Sequence, residues 1–473
     1  MLFTQQVFFI FLVIVFSFYW LIPKEKLNYK NTLLLLASYV FYGWWDWRFL
    51  SLILISSFCD YYLALKINSS DQKNVKKRFL LISLFINLGL LVTFKYFNFF
   101  IDNAESLLTA IGFQANLPSL KIILPVGISF YTFQTLSYTI DVYRGNLKPT
   151  RSIINFFAFV SFFPQLVAGP IERASHLLPQ FSKVKKFCFD NFENGCRIAL
   201  WGFFKKVVVA DNCANIANQA FEYYQSLSGL ALFLGMIAFS FQIYGDFSGY
   251  SDIAIGVSRM FGFDLMRNFR SPYLARDIAE FWRRWHISLS TWFRDYLYIP
   301  LGGSRGGKWK SIRNTFAIFL VSGFWHGANW TFIIWGLIHA LLFLPLLLQD
   351  KNRKNLSDDI SIIHLPKIAM TYILVCFAWV FFRAPSIQVA FGFLSRMFSL
   401  DTNINYSPYL VLISIISVSL LIFSELISQK FESPLIYMKQ KSNTTIRWFT
   451  YIALINASLI LQGKVQEFIY FQF

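Results

Sequence analysis

The sequence predicts an all-α, polytopic membrane protein, and three observations carry the prediction. First, 56% of the 473 residues are apolar and only 14% are charged, against about 25% charged in soluble domains. Second, apolar runs of spanning length recur along the chain, enough for about 11–13 transmembrane or re-entrant helices at ~20 residues each. Third, Lys and Arg collect in alternate loops, as the positive-inside rule requires. So little charge cannot cover a soluble chain of this length. A soluble enzyme, a disordered chain and a disulfide scaffold are excluded.

The elements follow in order. Residues 5–23 lack a basic leader and a small-x-small cleavage site, so they read as a permanent first span rather than a signal. Further candidate spans are 31–43, 48–66, 79–101, 121–142, 192–209, 229–247, 367–383, 409–429 and 447–463. Residues 153–170 end at Pro164 and Gly169-Pro170 and read as a short or re-entrant segment. The apolar stretch 314–349 is too long for one helix and contains Gly323, Gly327 and Gly336. It predicts two helices or a re-entrant hairpin.

Loop charge orders these spans. Lys24, Lys26 and Lys30 occupy one loop, Lys66 to Arg78 carry five basic residues, and Arg144, Lys148 and Arg151 occupy another. The intervening loops 103–120 and 210–228 hold no Lys or Arg. This alternation places both termini outside, with 350–366 and 430–447 inside. The net charge of +18 is thus explained mainly by topology and anionic headgroups. Nucleic-acid binding is disfavoured, because the basic residues follow membrane boundaries. The five cysteines form no CxxC pair and no Cys/His cluster, so no metal site is expected, and they read as small buried residues.

Residues 264–313 break the span-and-loop plan. They hold ten basic residues and four acids, interleaved with Trp282, Trp285, Trp292, Tyr296 and Tyr298. Asp277 and Glu280 have capping-box spacing, which predicts a helix over 278–296. Phe281, Trp285, Leu289 and Trp292 fall on one apolar stripe. Trp282, His286 and Phe293 form the adjacent stripe. The segment reads as an amphipathic helix at the cytoplasmic interface or dipping into the protein.

Among five histidines, His326 stands out. It lies in Ser322–Trp330 (SGFWHGANW), inside the 314–349 stretch. An ionisable group at membrane depth is a functional candidate by default. The plain alternative is a neutral imidazole bonded to a neighbouring helix. Flanking Gly323 and Gly327 permit close approach, and a hairpin would hold His326 at mid-depth. His286, taken alone, reads as a polar residue at an interface. Together the two imidazoles suggest general-base catalysis with an orienting partner. His339 and His364 read as structural. Gly302–Lys308 (GGSRGGK) begins like a phosphate-binding loop, but Trp309 replaces the magnesium-ligating hydroxyl and no βαβ unit surrounds it, so nucleotide hydrolysis is rejected. Asp246, Ser248 and Asp252 are expected at a helix end, as caps or cavity lining. Glu172 is expected to pair with Arg173.

Four segments then carry a resemblance: Phe281–Gly303 (FWRRWHISLSTWFRDYLYIPLGG), SGFWHGANW, Phe163–Arg173 (FPQLVAGPIER) and Asp246–Asp252 (DFSGYSD). In this order they resemble the membrane-bound O-acyltransferases, in the branch of bacterial alginate O-acetylation proteins and peptidoglycan O-acetyltransferases. The resemblance runs from about residue 30 to about residue 400. The tail beyond it reads as generic helices. The resemblance implies a single membrane-embedded acyltransferase domain over 1–473, its motif-bearing core at about 150–350, with tilted helices around a transmembrane tunnel. It implies that His326 is catalytic and that His286 is the second residue, orienting the first or stabilising an oxyanion. It implies acetyl-CoA as donor with no permanently bound cofactor, and Arg283, Arg284, Arg294, Trp285 and Tyr298 are candidates to bind it. It further implies a bacterial inner (cytoplasmic) membrane location, an exported polysaccharide as final acceptor, and a periplasmic or extracellular esterase-like acetyltransferase as partner. A transporter or flippase without its own catalysis, and transfer of D-alanyl or a longer acyl group, stay open as alternatives. The acceptor glycan is not legible.

Overall fold

A computed structural model describes residues 1–113, 117–120, 123–167, 169–355, 360–464 and 466–469. Ala168 of the FPQLVAGPIER motif and part of the predicted inner loop 350–366 lie outside the described residues. The described chain is helical and contains no strand. Six helical runs among the described residues are long and apolar enough to cross a membrane: Leu27–Ser69, Lys73–Ala110, Gly229–Met260, Trp330–Leu348, Leu365–Arg383 and Pro408–Ile427. The protein is a multi-pass membrane protein.

The chain divides into two compact units, one of residues 1–192 and 258–265, the other of 193–257 and 266–473. The first holds α1 (Gln6–Leu21), α2 (Leu27–Asp46), α3 (Leu50–Ser69), α4 (Lys73–Leu91), α5 (Phe97–Ala110), α6 (Ile128–Arg144), α7 (Ile153–Ser161), α8 (Phe163–Leu166) and α9 (Ala174–Leu177). Spanning helices facing one another in an apolar medium are joined by small and polar contacts. Here Asp60 on α3 accepts from Asn87 on α4 at 2.8 Å and also from Ser83, and Ser56 donates to Asn87 at 2.7 Å. Lys30 departs from the expected loop position. It sits in the first turn of α2, buried, with its ammonium 4.7 Å from the Tyr19 and Trp20 rings, so a cation–π cage replaces water. Glu172 finds His176, whose Nδ1 lies 2.8 Å away. The Asp264 and Glu172 carboxylates together push the His176 imidazole up to about 10.

The second unit begins within α10 (Phe189–Phe203) and continues through α11 (Asp211–Glu222), α12 (Gly229–Met260), α13 (Ile278–Arg284), α14 (Ile287–Phe293), α15 (Lys308–His326), α16 (Trp330–Leu348), α17 (Leu365–Arg383), α18 (Ile387–Met397), α19 (Pro408–Ile427), α20 (Pro434–Lys441) and α21 (Thr444–Ile460). α12 runs well past the expected end at 247. The DFSGYSD motif therefore lies inside a helix and caps nothing. Its carboxylates are neutralised by lysines: Lys206 bonds Asp246 at 2.7 Å and Asp211 at 2.9 Å, and Lys205 bonds Asp252 at 2.7 Å. The tail is more than generic helix. The Ile469 amide donates to Asp246 at 2.8 Å, and the Phe468 ring packs 4.5 Å from that of Tyr250. The cysteines divide: Cys213 and Cys376 are buried as expected, whereas Cys188 and Cys196 are exposed.

The amphipathic helix expected over 278–296 is also corrected. It is two short helices, α13 and α14, broken at Trp285–His286. The break has a local cause. The backbone N–H groups of Ile287 and Ser288, which a continuous helix would bond internally, are taken by the carbonyl and side-chain oxygens of Asn268 at 2.9 and 3.3 Å. The predicted cap at Asp277 is present, with the Glu280 amide donating to Asp277 Oδ1 at 2.7 Å. The stripe Phe281, Trp285, Leu289 and Trp292 is buried despite the break.

Candidate active site

The predicted hairpin in 314–349 is formed by α15 and α16. Asn329 at the reversal caps α16 by accepting from Thr331 N at 3.0 Å, and its amide donates to the Pro385 carbonyl at 2.9 Å. Gly323 and Gly336 let the two backbones touch. A methyl at 323 would lie 3.0 Å from the Phe332 carbonyl carbon and closer still to its oxygen. One at 336 would meet the Phe319 carbonyl in the same way. This small-residue contact is how spanning helices pack tightly. It seats His326, the last residue of α15, in a ring of aromatics. Trp325 is 4.9 Å away, Trp335 5.1 Å and Phe382 5.3 Å, all edge to face.

His286 stands in the break between α13 and α14 with φ of 42°. That left-handed conformation is uncommon for a residue with a side chain and marks a locally over-determined site. The imidazole is fully buried and touches Phe247 at 4.6 Å, edge to face. Its Nδ1 lies 3.1 Å from Asn268 Oδ1. Burial pushes its pKa below the ordinary histidine value, so it is neutral at pH 7. The Trp325 ring stands 6.2 Å from His286 and 4.9 Å from His326. The two histidines singled out in the sequence thus flank one tryptophan.

A cavity of about 230 Å³ lies beside this cluster, though neither histidine nor Trp325 lines it. Trp282, Phe293, Phe319, Ile318, Phe343 and Leu347 give it apolar walls; Arg294, Tyr298, Asn352 and Arg353 give it polar ones. Ser322, one turn before His326 on α15, and Leu289 and Ser290, one turn after His286, line it as well. Residues one turn apart share a helix face. A larger cleft of about 370 Å³ is bordered by Leu342, Leu346, Met370 and Leu374 of α16 and α17. Neither histidine lines either cavity, but the smaller one is lined by Ser322, Leu289 and Ser290, within about one turn of them.

The candidate donor-binding residues are placed differently from one another. Arg294 and Tyr298 line the cavity. Arg283 donates to the Asn352 and Asn355 carbonyls at 2.9 and 2.8 Å and so holds the loop that brings Asn352 and Arg353 to it. Arg284 is buried against Glu280 at 2.8 Å, and Arg276 binds the same carboxylate at 2.9 Å. Burial raises the Glu280 pKa, but the Arg276 hydrogen bonds and charges outweigh it and hold the carboxyl below its usual range. Trp285 is packed among Phe269, Phe281 and Trp379 and does not line the cavity. His339 is buried on α16 against Trp282 and Trp335, each 4.9 Å away. Sequence reasoning missed Ser322, Arg353 and Asn268. The turn spacing to His326 was available for Ser322. Nothing in the sequence pointed to the other two.

Comparison with known proteins agrees with the motifs. The model of the membrane-bound O-acyltransferase family, MBOAT, matches residues 39–384. The probable alginate O-acetylase AlgI of Pseudomonas aeruginosa is 43% identical over 404 residues, covering 85% of this chain and 76% of that one. A peptidoglycan O-acetyltransferase of Helicobacter pylori is 38% identical over 435 residues, covering 85% and 80%. A teichoic acid D-alanyltransferase of Bacillus subtilis is 30% identical over 283 residues, covering 57% and 71%. Matched over residues 39–384 and sharing 43% identity with a relative across 85% of its length, the chain belongs to the membrane-bound O-acyltransferase family.

Proposed function

We propose that the protein transfers an acetyl group from cytoplasmic acetyl-CoA across a bacterial inner membrane for O-acetylation of an exported polysaccharide of alginate or peptidoglycan type. The observation that carries this reading is the cavity lined by Arg294, Arg353 and Tyr298 and reaching Ser322, one turn from His326. The names of the relatives at 38–43% identity point the same way. Guanidinium groups suit a polyanionic donor, and the apolar wall suits the uncharged arm that carries the thioester.

The chemistry follows from the groups present. An acceptor hydroxyl attacks the thioester carbonyl while His326 removes its proton. The C–S bond breaks, the ester C–O bond forms, and the thiolate leaves as the free thiol on taking up a proton. His286 supports His326 from across Trp325. An esterase-like partner outside the membrane completes delivery to the glycan. The D-alanyltransferase relative supports a second reading, in which the same machinery moves D-alanyl. Purified protein supplied with acetyl-CoA and a hydroxyl-bearing acceptor decides between catalysis and mere transport. Free thiol should appear with wild type and not with His326→Ala. Equal thiol release by both would refute the reading, and faster turnover of a D-alanyl thioester would favour the second.

A further inference from the structure

Within the reading just given, on which this inference rests, we propose that Asn268 is the positioning residue of His286. It fixes the imidazole with its proton on Nδ1, so that Nε2 meets the reaction as a hydrogen-bond acceptor and not as a donor to an oxyanion.

The orientation of the Asn268 amide is set by its neighbours. Asn268 is buried, and its Oδ1 lies 3.3 Å from the Ser288 backbone N–H, 2.9 Å from Ser288 Oγ and 3.1 Å from His286 Nδ1. A backbone N–H only donates, so the amide atom facing it is the oxygen and the orientation of the side chain is fixed. The other end agrees, because Nδ2 donates to Ser251 Oγ at 3.3 Å. An amide oxygen only accepts, so His286 Nδ1 must carry the hydrogen that joins them. In a neutral imidazole the other nitrogen is then the lone-pair nitrogen. It can accept from an acceptor hydroxyl or from the N–H of a second imidazole. It has no proton to give an oxyanion. The same residue sets the backbone, since its carbonyl accepts from Ile287 N at 2.9 Å and holds the break in which His286 adopts φ of 42°. Conformation and tautomer therefore have one cause.

The surroundings leave this hydrogen bond in control. Phe247 of α12, Phe269 beside Asn268, and Trp325 of α15 present rings to the imidazole. The ionised groups of those elements have their own partners. Asp246 and Asp252 are paired with Lys206 and Lys205, and Arg267 donates to the Phe269 and Phe431 carbonyls. Arg270, also on this segment, bonds through its backbone N–H to the Arg284 carbonyl, and His326 follows Trp325 on α15.

The test compares Asn268→Asp and Asn268→Leu in the full-length protein, reading acetyl-CoA thioester cleavage against pH. Asp keeps the accepting oxygen, and the Ser251 hydroxyl can turn to donate to it. Its charge stabilises the imidazolium, so His286 holds its proton to higher pH. The working form is neutral, and the acid limb of kcat/KM should therefore move up by about one pH unit or more, with the alkaline plateau kept within a few fold. Leu removes the acceptor. The plateau should drop about tenfold to a hundredfold without a moved limb. An unmoved limb in Asn268→Asp, or a wild-type plateau in Asn268→Leu, overturns the inference. A merely structural role would lower both variants alike at every pH. Should Asn268→Leu not fold, the Asp profile decides alone. His326→Ala run in parallel separates the two levels. If it cleaves normally, the parent reading fails. If it is inactive while both Asn268 variants match wild type, only the positioning role fails.

Discussion

Replacing Gly323 by alanine tests how the hairpin holds His326. The added methyl would sit 3.0 Å from the Phe332 carbonyl carbon and closer to its oxygen, whereas ordinary contact begins near 3.4 Å. Neither obstacle is a flexible side chain, so the backbones must part, on the oxygen side by about 1 Å. Overpacking of this kind destabilises by about 1–3 kcal/mol. His326 is one turn further along α15, close to the point where the chain reverses into α16, so it moves with the opening. A displacement of about 1 Å at a reacting group lowers the rate about a hundredfold. Thermal unfolding in detergent and thioester cleavage by the purified protein read the two effects. Gly336→Ala, which meets the Phe319 carbonyl from the other helix, should behave alike. Wild-type turnover and melting in both variants would show that close approach of α15 and α16 is not what positions His326.

Three further outcomes follow. Ser322→Leu projects into the cavity one turn from His326 and should raise KM for acetyl-CoA about tenfold or more with little change in melting; an unchanged KM would detach the cavity from the donor. Glu280→Gln leaves the buried Arg276 and Arg284 guanidinium groups facing a neutral amide, at about 3–5 kcal/mol, so melting should fall by several degrees, and an unaltered transition would contradict the ion-pair account. His176 has its pKa raised from 6.5 to about 10 by Asp264 and Glu172. The stability it contributes is therefore fully present below the unfolded value and lost as pH rises through the folded one. Hydrogen-exchange protection around residues 172–182, corrected for the intrinsic base-catalysed rate, should fall between those limits, and His176→Gln should remove that fall; an identical slope in the variant would sink the assignment.

Much of this was legible because membranes leave few options. Uninterrupted apolar runs must be helices there, and glycines at 323, 327 and 336 divided one such run into the observed hairpin. His326 and His286 were visible as polar exceptions. What escaped the sequence was decided by partners that no periodicity names. Asn268, eighteen residues before His286, takes two amides that α13 and α14 would otherwise share, and no periodicity in 278–296 announces that break. Lys205 and Lys206 neutralise Asp252 and Asp246 inside α12, so carboxylates that looked like a helix end are interior. Arg283 and Arg284 are neighbours of one composition, yet one holds a cavity loop and the other a buried carboxylate. Loop charge located Lys30 near a boundary but not the Tyr19 and Trp20 rings that let it be buried.

The central claim is that His326 drives cleavage of an acetyl thioester and passage of the acetyl group to the far side. The direct measurement reconstitutes the protein in sealed vesicles with the glycan acceptor and the esterase-like partner on the far side, supplies radiolabelled acetyl-CoA on the face bearing Arg294 and Arg353, and follows label and free thiol together. Wild type should release thiol in step with label appearing in ester linkage on a glycan acceptor, and His326→Ala should do neither. Label crossing intact on its carrier, without thiol release and regardless of His326, would contradict the account.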